Sequence, residues 1–245
     1  MVRSLGIVVP AYDPDVERLA SYVEMLAELE PATIRIELDD PSADVLDAVA
    51  ALPVTVAVSQ RRRGKGAAIT AGFEALDTDV YCFVDADGST DIESVERVVE
   101  PVLAGSANLA VGSRRHPDAA VSNSQSHLRG SLGDCFAWLA RRALPVALHD
   151  YQCGTKAIDT ESWALVREDL YEAGFGWDVN LVAAAGRHSL SVREVPVSWS
   201  DTPGSTVDPF TTTLSLGGAL CRVQRLRWLG SAGRTPLLDR LADHE

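Results

Sequence analysis

Residues 80–90 read VYCFVDADGST. An apolar run of strand-forming residues ends in Asp85 and Asp87, one alanine apart, and then Gly88. Such a run reads as a buried strand. Residues two apart along a strand point to the same side, so both aspartates can reach one cation beyond its end. Hard carboxylate oxygens suit Mg²⁺ or Mn²⁺, which typically take one or two carboxylates and draw further ligands from substrate phosphates. By itself the pattern is weak evidence for a metal and reads more readily as a polar turn that caps the strand.

Outward from this strand the same rhythm repeats. Before it come LGIVVPAYD, a strand closed by Pro10, then a helix with Val16, Leu19, Ala20, Val23, Leu26 and Ala27 at helical spacing. TIRIELDD is a second strand ending in Asp39 and Asp40, ADVLDAVAAL a helix, and VTVAVS a third strand. RRRGKGAAITAGFEAL is a glycine turn running into a helix. After it, DIESVERVVEPVL is helical and ANLAVGSRR is a fifth strand. Residues 120–200 add two helices, LRGSLGDCFAWLARRAL and FGWDVNLVAAAGR, and one strand, VREVPVSW. Strands alternating with helices predict a mostly parallel α/β sheet covered on both faces. In such sheets ligands sit at the carboxyl ends of the strands. There the chain places PAYD, DDPS, DADG and GSRR, which are expected to converge on one crevice.

Composition bounds the rest. The 245 residues are 46% hydrophobic, enough for one large domain or two small ones. The formal charge is −13, and of 22 basic residues only Lys65 and Lys156 are lysine. That balance reads as a halophilic, salt-adapted cytoplasmic protein, and it disfavours nucleic acid as a partner. Cys82, Cys135, Cys153 and Cys221 form no paired motif and read as reduced thiols. The five histidines lack zinc-ligand spacing. No signal peptide or transmembrane span is read. From Leu214 the charge changes to +2, against −15 before it, and LSLGGALCRVQRLRWLG is apolar on one side and Arg-rich on the other. Residues 1–213 are therefore expected to be one catalytic domain. Residues 214–245 are expected to be an Arg-rich helical tail, either interfacial on a membrane or packed as an ordinary helix.

Two enzyme families place DxDG after an apolar strand. Phosphatases of the haloacid dehalogenase type need it near the start of the domain with a later GDxxxD pair; three strands precede it here and no such pair follows. The chain resembles instead the family 2 glycosyltransferases of the GT-A (Rossmann-like) fold, and within them the polyprenyl-phosphate hexosyltransferases, above all the dolichyl-phosphate glucosyltransferase branch. The carrying motifs occur in the family's order: VVPAYD, LDDPSAD, RGKGAAITAGF, DADGST, AVGSRR, DYQCGTK, GWDVNLVAAAGR and VREVPVSWSDTPGSTV. Three positions depart from it. Asp13 stands for a usual Asn, Pro41 for a turn glycine, and Arg62 for an Asn before the GKG turn.

The resemblance implies an inverting, metal-dependent transfer of a hexose from a nucleotide sugar to dolichyl or polyprenyl phosphate, in service of protein glycosylation. UDP-glucose is the expected donor and GDP-mannose the alternative. It places Pro10, Ala11, Tyr12, Asp39 and Asp40 around the nucleoside, and Lys65 at the diphosphate or sugar. Asp85 and Asp87 hold Mg²⁺ or Mn²⁺. Arg114 and Arg129 hold the acceptor phosphate. Asp178 faces the sugar, where it binds a hydroxyl, assists proton transfer or makes a structural hydrogen bond. Lys156, Trp199 and Ser205 line or close the site. The expected location is peripheral, at the cytoplasmic face of the cell membrane. A family 2 transferase with a glycan acceptor, and a nucleotide-sugar binder without turnover, are the competing readings.

Overall fold

The computed structural model describes residues 3–122, 137–200, 218, 220, 222 and 236–242. One seven-stranded sheet runs through the middle, in the order β3-β2-β1-β4-β7-β5-β8. Its strands are β1 (Leu5–Tyr12), β2 (Thr33–Asp39), β3 (Thr55–Ser59), β4 (Val80–Val84), β5 (Leu109–Ser113), β7 (Thr155–Asp159) and β8 (Val192–Pro196). A small second pair joins β6 (Ala120–Ser122) to β9 (Ser198–Ser200).

The helices are α1 (Val16–Ala27), α2 (Ala43–Ala50), α3 (Lys65–Glu74), α4 (Ile92–Leu103), α5 over residues 137–143, α6 (Thr160–Val166), α7 (Trp177–Arg187) and α8 (Leu237–Ala242). Side chains alternate across the strands, so the sheet feeds two cores. Ile7, Val9, Cys82 and Val84 pack with α1, α2 and α4 on one face. Val8, Tyr81 and Phe83 pack with α3, α6 and α7 on the other. Asp15, Asp91 and Asp159 cap α1, α4 and α6 by accepting from a backbone N–H three residues on. Each such cap contributes about 1 kcal/mol.

Three features differ from the sequence reading. β1 does not close at Pro10 but runs on to Tyr12, because β4 leaves its flank after Val8 and only β2 pairs with the last residues. A proline is tolerated where one flank carries no ladder. VREVPVSW is split, with β8 ending at Pro196 and β9 beginning at Ser198. Finally, β7 is a strand inserted antiparallel between β4 and β5, with Val84 opposite Thr155 and Val111 opposite Lys156. All five of its residues are buried.

Of the tail, Leu237 N–H bonds the Leu170 carbonyl, and Arg240 donates to the Tyr171 carbonyl. Arg222 forms a two-pronged pair with Glu172 at 2.6 and 2.8 Å. These two arginines are turned onto the domain. No helix among the described residues is long and apolar enough to cross a membrane.

Candidate active site

A cleft of about 450 Å³ opens at the carboxyl ends of β1, β2 and β4. Its wall includes Pro10, Ala11 and Tyr12 from the end of β1, Asp39 from β2, Gly64 and Lys65 from the glycine turn, and Asp85 and Asp87 after β4. Seven residues assigned to the donor thus converge from four separate segments. Asp40 does not join them. It is exposed, in a left-handed conformation with φ 46°, and its N–H is tied to the Ser59 carbonyl.

The glycine turn is anchored from below. Asp39 is 2% exposed. Its Oδ2 accepts from the backbone N–H groups of Arg63 and Gly64, and its Oδ1 from Arg63 Nε at 2.7 Å. Arg63 reaches on to Glu37, which also takes Arg35. Asp39 therefore lines the cleft while holding the turn. Gly64 sits at φ 98°, a region that disfavours side chains, and a Cβ there would lie 2.8 Å from the Ala173 carbonyl oxygen. A Cβ on Gly66 would lie 2.4 Å from that of Trp177, so α3 and α7 meet closely at this point.

Lys65 opens α3 and turns into the cleft. Its ammonium lies 2.8 Å from Asp85 Oδ1 and 3.5 Å from Asp178 Oδ2, and 5.1 Å from the centre of the Phe83 ring. Burial would lower its pKa, but the charges of Asp178 and Asp85 outweigh this and raise it. The raised pKa keeps Lys65 charged at neutral pH. At Asp85, withdrawal from water raises the pKa, Lys65 opposes the rise, and Asp87 adds to it. Asp87 Oδ1 accepts from the N–H and hydroxyl of Ser89, which fixes its rotamer. Behind them Asp178, from the first turn of α7, is ion-paired with Lys156 of β7. Lys156 is 1% exposed and also donates to the Cys153 carbonyl. It is a buried counter-charge and lines no open surface.

Asp85 and Asp87 fit a divalent cation by their chemistry and by the room left for them. Gly154 lies against Asp85, where any side chain would fill the space. Among the described residues no set of three His, Cys, Asp or Glu side chains forms a metal site. Two carboxylates match a Mg²⁺ or Mn²⁺ site completed by substrate oxygens and water.

Arg114 follows β5 and lies outside the cleft wall. Asp150 holds it by three bonds: from its backbone N–H at 3.2 Å, Nε at 2.7 Å and Nη2 at 3.0 Å. Burial would lower the Arg114 pKa, but Asp150 raises it well above the usual value, and Asp85 contributes in the same sense. The Trp199 ring lies 5.7 Å from the guanidinium. Arg129 and Ser205 lie outside the described residues.

Sequence reasoning missed several contributors to the cleft wall. Arg62 stacks over Tyr12 at 4.0 Å, and Arg18, Gly174 and Phe175 also line the cleft. Glu172, Ala173 and Gly174 precede the FGWDVN stretch and carry no motif of their own; the Ala173 carbonyl accepts from the Ala67 N–H of α3.

Comparison with known proteins gives the family and the fold. The glycosyl transferase family 2 model matches residues 7–175. The chain is 30% identical to glycosyltransferase AglD of Haloferax volcanii over 89% of its own length. It is 28% identical to human dolichyl-phosphate beta-glucosyltransferase over 95%. It spans 36% of the former protein and 78% of the latter. Among solved structures, glucosyl-3-phosphoglycerate synthase from Mycobacterium tuberculosis, crystallised with Mn²⁺, UDP and phosphoglyceric acid, superposes with a TM-score of 0.72. It is 15% identical, covering 91% of this chain and 78% of that one. Mannosyl-3-phosphoglycerate synthase from Rubrobacter xylanophilus gives 0.70 at 15% identity, covering 95% and 76%. The solved structures establish the GT-A fold. With the family model spanning more than half of its residues, the chain belongs to glycosyl transferase family 2.

Proposed function

We propose that the protein transfers a hexose, with inversion, from a nucleoside-diphosphate sugar to a polyprenyl phosphate of the dolichyl type, as a step of protein glycosylation. The observation that carries this reading is the cleft in which Lys65, Asp85 and Asp87 lie beside the wall of Pro10, Ala11 and Tyr12. The names of the relatives support glucose and a dolichyl phosphate acceptor, and the UDP complex of the M. tuberculosis structure supports a uridine nucleotide.

Asp85 and Asp87 would hold the metal, Mg²⁺ or Mn²⁺, which would neutralise charge on the diphosphate leaving group. Lys65 supplies a fixed positive charge toward the same diphosphate. Asp39 sets the turn that carries Lys65. Arg114 and Arg129 position the acceptor phosphate, for which guanidinium forks are suited. A phosphate monoester has its second pKa near 6, so its oxygen is already ionised at neutral pH. That oxygen attacks the anomeric carbon, the bond to the diphosphate oxygen breaks, and the nucleoside diphosphate leaves with the electron pair. No strong base is needed. Asp178, shared by Lys65 and Lys156, orients Lys65.

Catalysis by residues 1–213 and contact of residues 214–245 with the cytoplasmic membrane face complete the proposal. The acidic composition suits a salt-rich cytoplasm. Purified protein given dolichyl phosphate, Mg²⁺ or Mn²⁺, and labelled UDP-glucose or GDP-mannose in high salt tests it. Label entering the organic phase from UDP-glucose, and lost with chelator, is expected. Transfer from GDP-mannose instead reassigns the donor. No transfer by a folded sample that binds nucleotide with metal overturns the acceptor or the activity.

A further inference from the structure

Glu194 lies on β8, the edge strand of the sheet, opposite Val111 of β5. Its side chain is 11% exposed. One oxygen, Oε1, accepts from the backbone N–H groups of His149 at 2.7 Å and Asp150 at 2.9 Å. The other, Oε2, lies 2.8 Å from His149 Nδ1. One carboxylate thus fixes two consecutive residues of the segment leading into β7. The second of them, Asp150, is 2% exposed, and its oxygens also take the Gln152 N–H. They grip Arg114 at its backbone and along its guanidinium. His116, two residues on, meets the His149 ring edge-on at 5.7 Å. The two segments are therefore clamped to each other twice.

We infer that Glu194 is a positioning residue for the acceptor: through Asp150 it holds the Arg114 fork in the orientation that receives a phosphate. This rests on the reading of Arg114 as an acceptor-phosphate contact. The physical case has three parts. A free arginine carries about 2 kcal/mol of rotamer entropy, and orienting it beforehand removes that cost from binding. Asp150 can orient Arg114 only if its own backbone is fixed. It lies in a segment outside helix and strand, where Glu194 supplies two of the backbone bonds. And the displacement that matters is small, since a shift of about 1 Å at a positioning group costs up to about 100-fold.

The test is steady-state kinetics of the full chain with polyprenyl phosphate and nucleotide sugar varied separately. Glu194→Ala and the milder Glu194→Asp, one methylene short, are compared with Glu194→Gln, whose oxygen still accepts from both N–H groups and whose amide can donate to His149 Nδ1 in the Nε2–H tautomer. Glu194→Asp and Glu194→Ala are expected to raise the acceptor KM about tenfold while the donor KM changes less than about twofold. Glu194→Gln is expected to restore the wild-type acceptor KM. Donor and acceptor KM rising together in both variants overturns the inference, since general loosening would do that. So does an unchanged acceptor KM in Glu194→Asp when Arg114→Ala raises it. An Arg114→Ala variant with unchanged acceptor KM overturns the acceptor reading itself, and the inference with it.

Discussion

Gly154 packs so closely on Asp85 that a Cβ there would lie 1.9 Å from Asp85 Oδ2 and 2.3 Å from its Cγ. The Asp85 N–H also bonds the Gly154 carbonyl at 2.9 Å. Gly154→Ala therefore pushes the carboxylate aside without removing it. Metal affinity is expected to fall about 10- to 100-fold, as for other changes behind a metal ligand. Calorimetric titration with Mn²⁺ and nucleotide, beside a thermal melt that shows the fold intact, checks this. Unchanged affinity would mean that Asp85 does not hold the metal where it now stands.

Asp85→Asn and Asp87→Asn bear on the metal directly. Loss of Lewis-acid assistance is worth several kcal/mol of barrier, so turnover is expected to fall by about 100-fold or more in each. Chelator added to wild type should reproduce the loss, and Mn²⁺ or Mg²⁺ should restore wild type alone. Full activity of Asp87→Asn would leave the pair as a turn.

Lys156 and Asp178 are 1% and 3% exposed. Lys156→Met leaves a carboxylate inside the fold with its nearest partner gone. Breaking a buried pair from one side costs about 3–5 kcal/mol. Lys156→Met with Asp178→Asn removes both charges and is expected to recover a large part of that loss. Denaturant unfolding of both variants and wild type measures it. Equal stability of single and double variants would show that Lys65 alone suffices to hold Asp178.

Asp150 gives the pH arm. Burial would raise its pKa, but Arg114 and the Gln152 N–H outweigh burial and hold it well below the usual carboxylate range. A depressed folded pKa stabilises the fold above the unfolded value, about 3.9, and that gain is lost as pH falls toward the folded one. Asp150→Asn is therefore expected to be destabilised by about 3 kcal/mol at pH 7. The gap to wild type should narrow below about pH 4. Urea midpoints at pH 7, 5 and 3 give the measurement. A gap that stays constant with pH would show that the Arg114 pair is not its source.

Much of the donor side was legible because its signals are local. VYCFV announced a buried strand, and the aspartates beyond it fell where parallel sheets bind ligands. The missing parts depend on long-range pairing. TKAID is buried along its whole length, so no alternation marks it, and nothing local states that it runs antiparallel. Glu194 and Asp150 are 44 residues apart, and each looks like an ordinary surface acid in its own motif. Lys156 stood in a recognised motif, yet its burial against Asp178 follows only from the register of β7 beside β4. Asp40 was paired with Asp39 by sequence, but the strand ends at Asp39 and its neighbour leaves the sheet.

The late arrival of β7 also orders events in time. β4 and β5 leave the ribosome before the strand that must separate them. Until β7 inserts, β4 keeps an unpaired edge and β5 has no partner in the sheet from the earlier chain, a state open to misassociation. Pairing across such sequence distances is slow. The strand that supplies Lys156 is thus the one that joins the two halves of the sheet, and its charge stays unpaired until α7 brings Asp178 and β8 closes the edge.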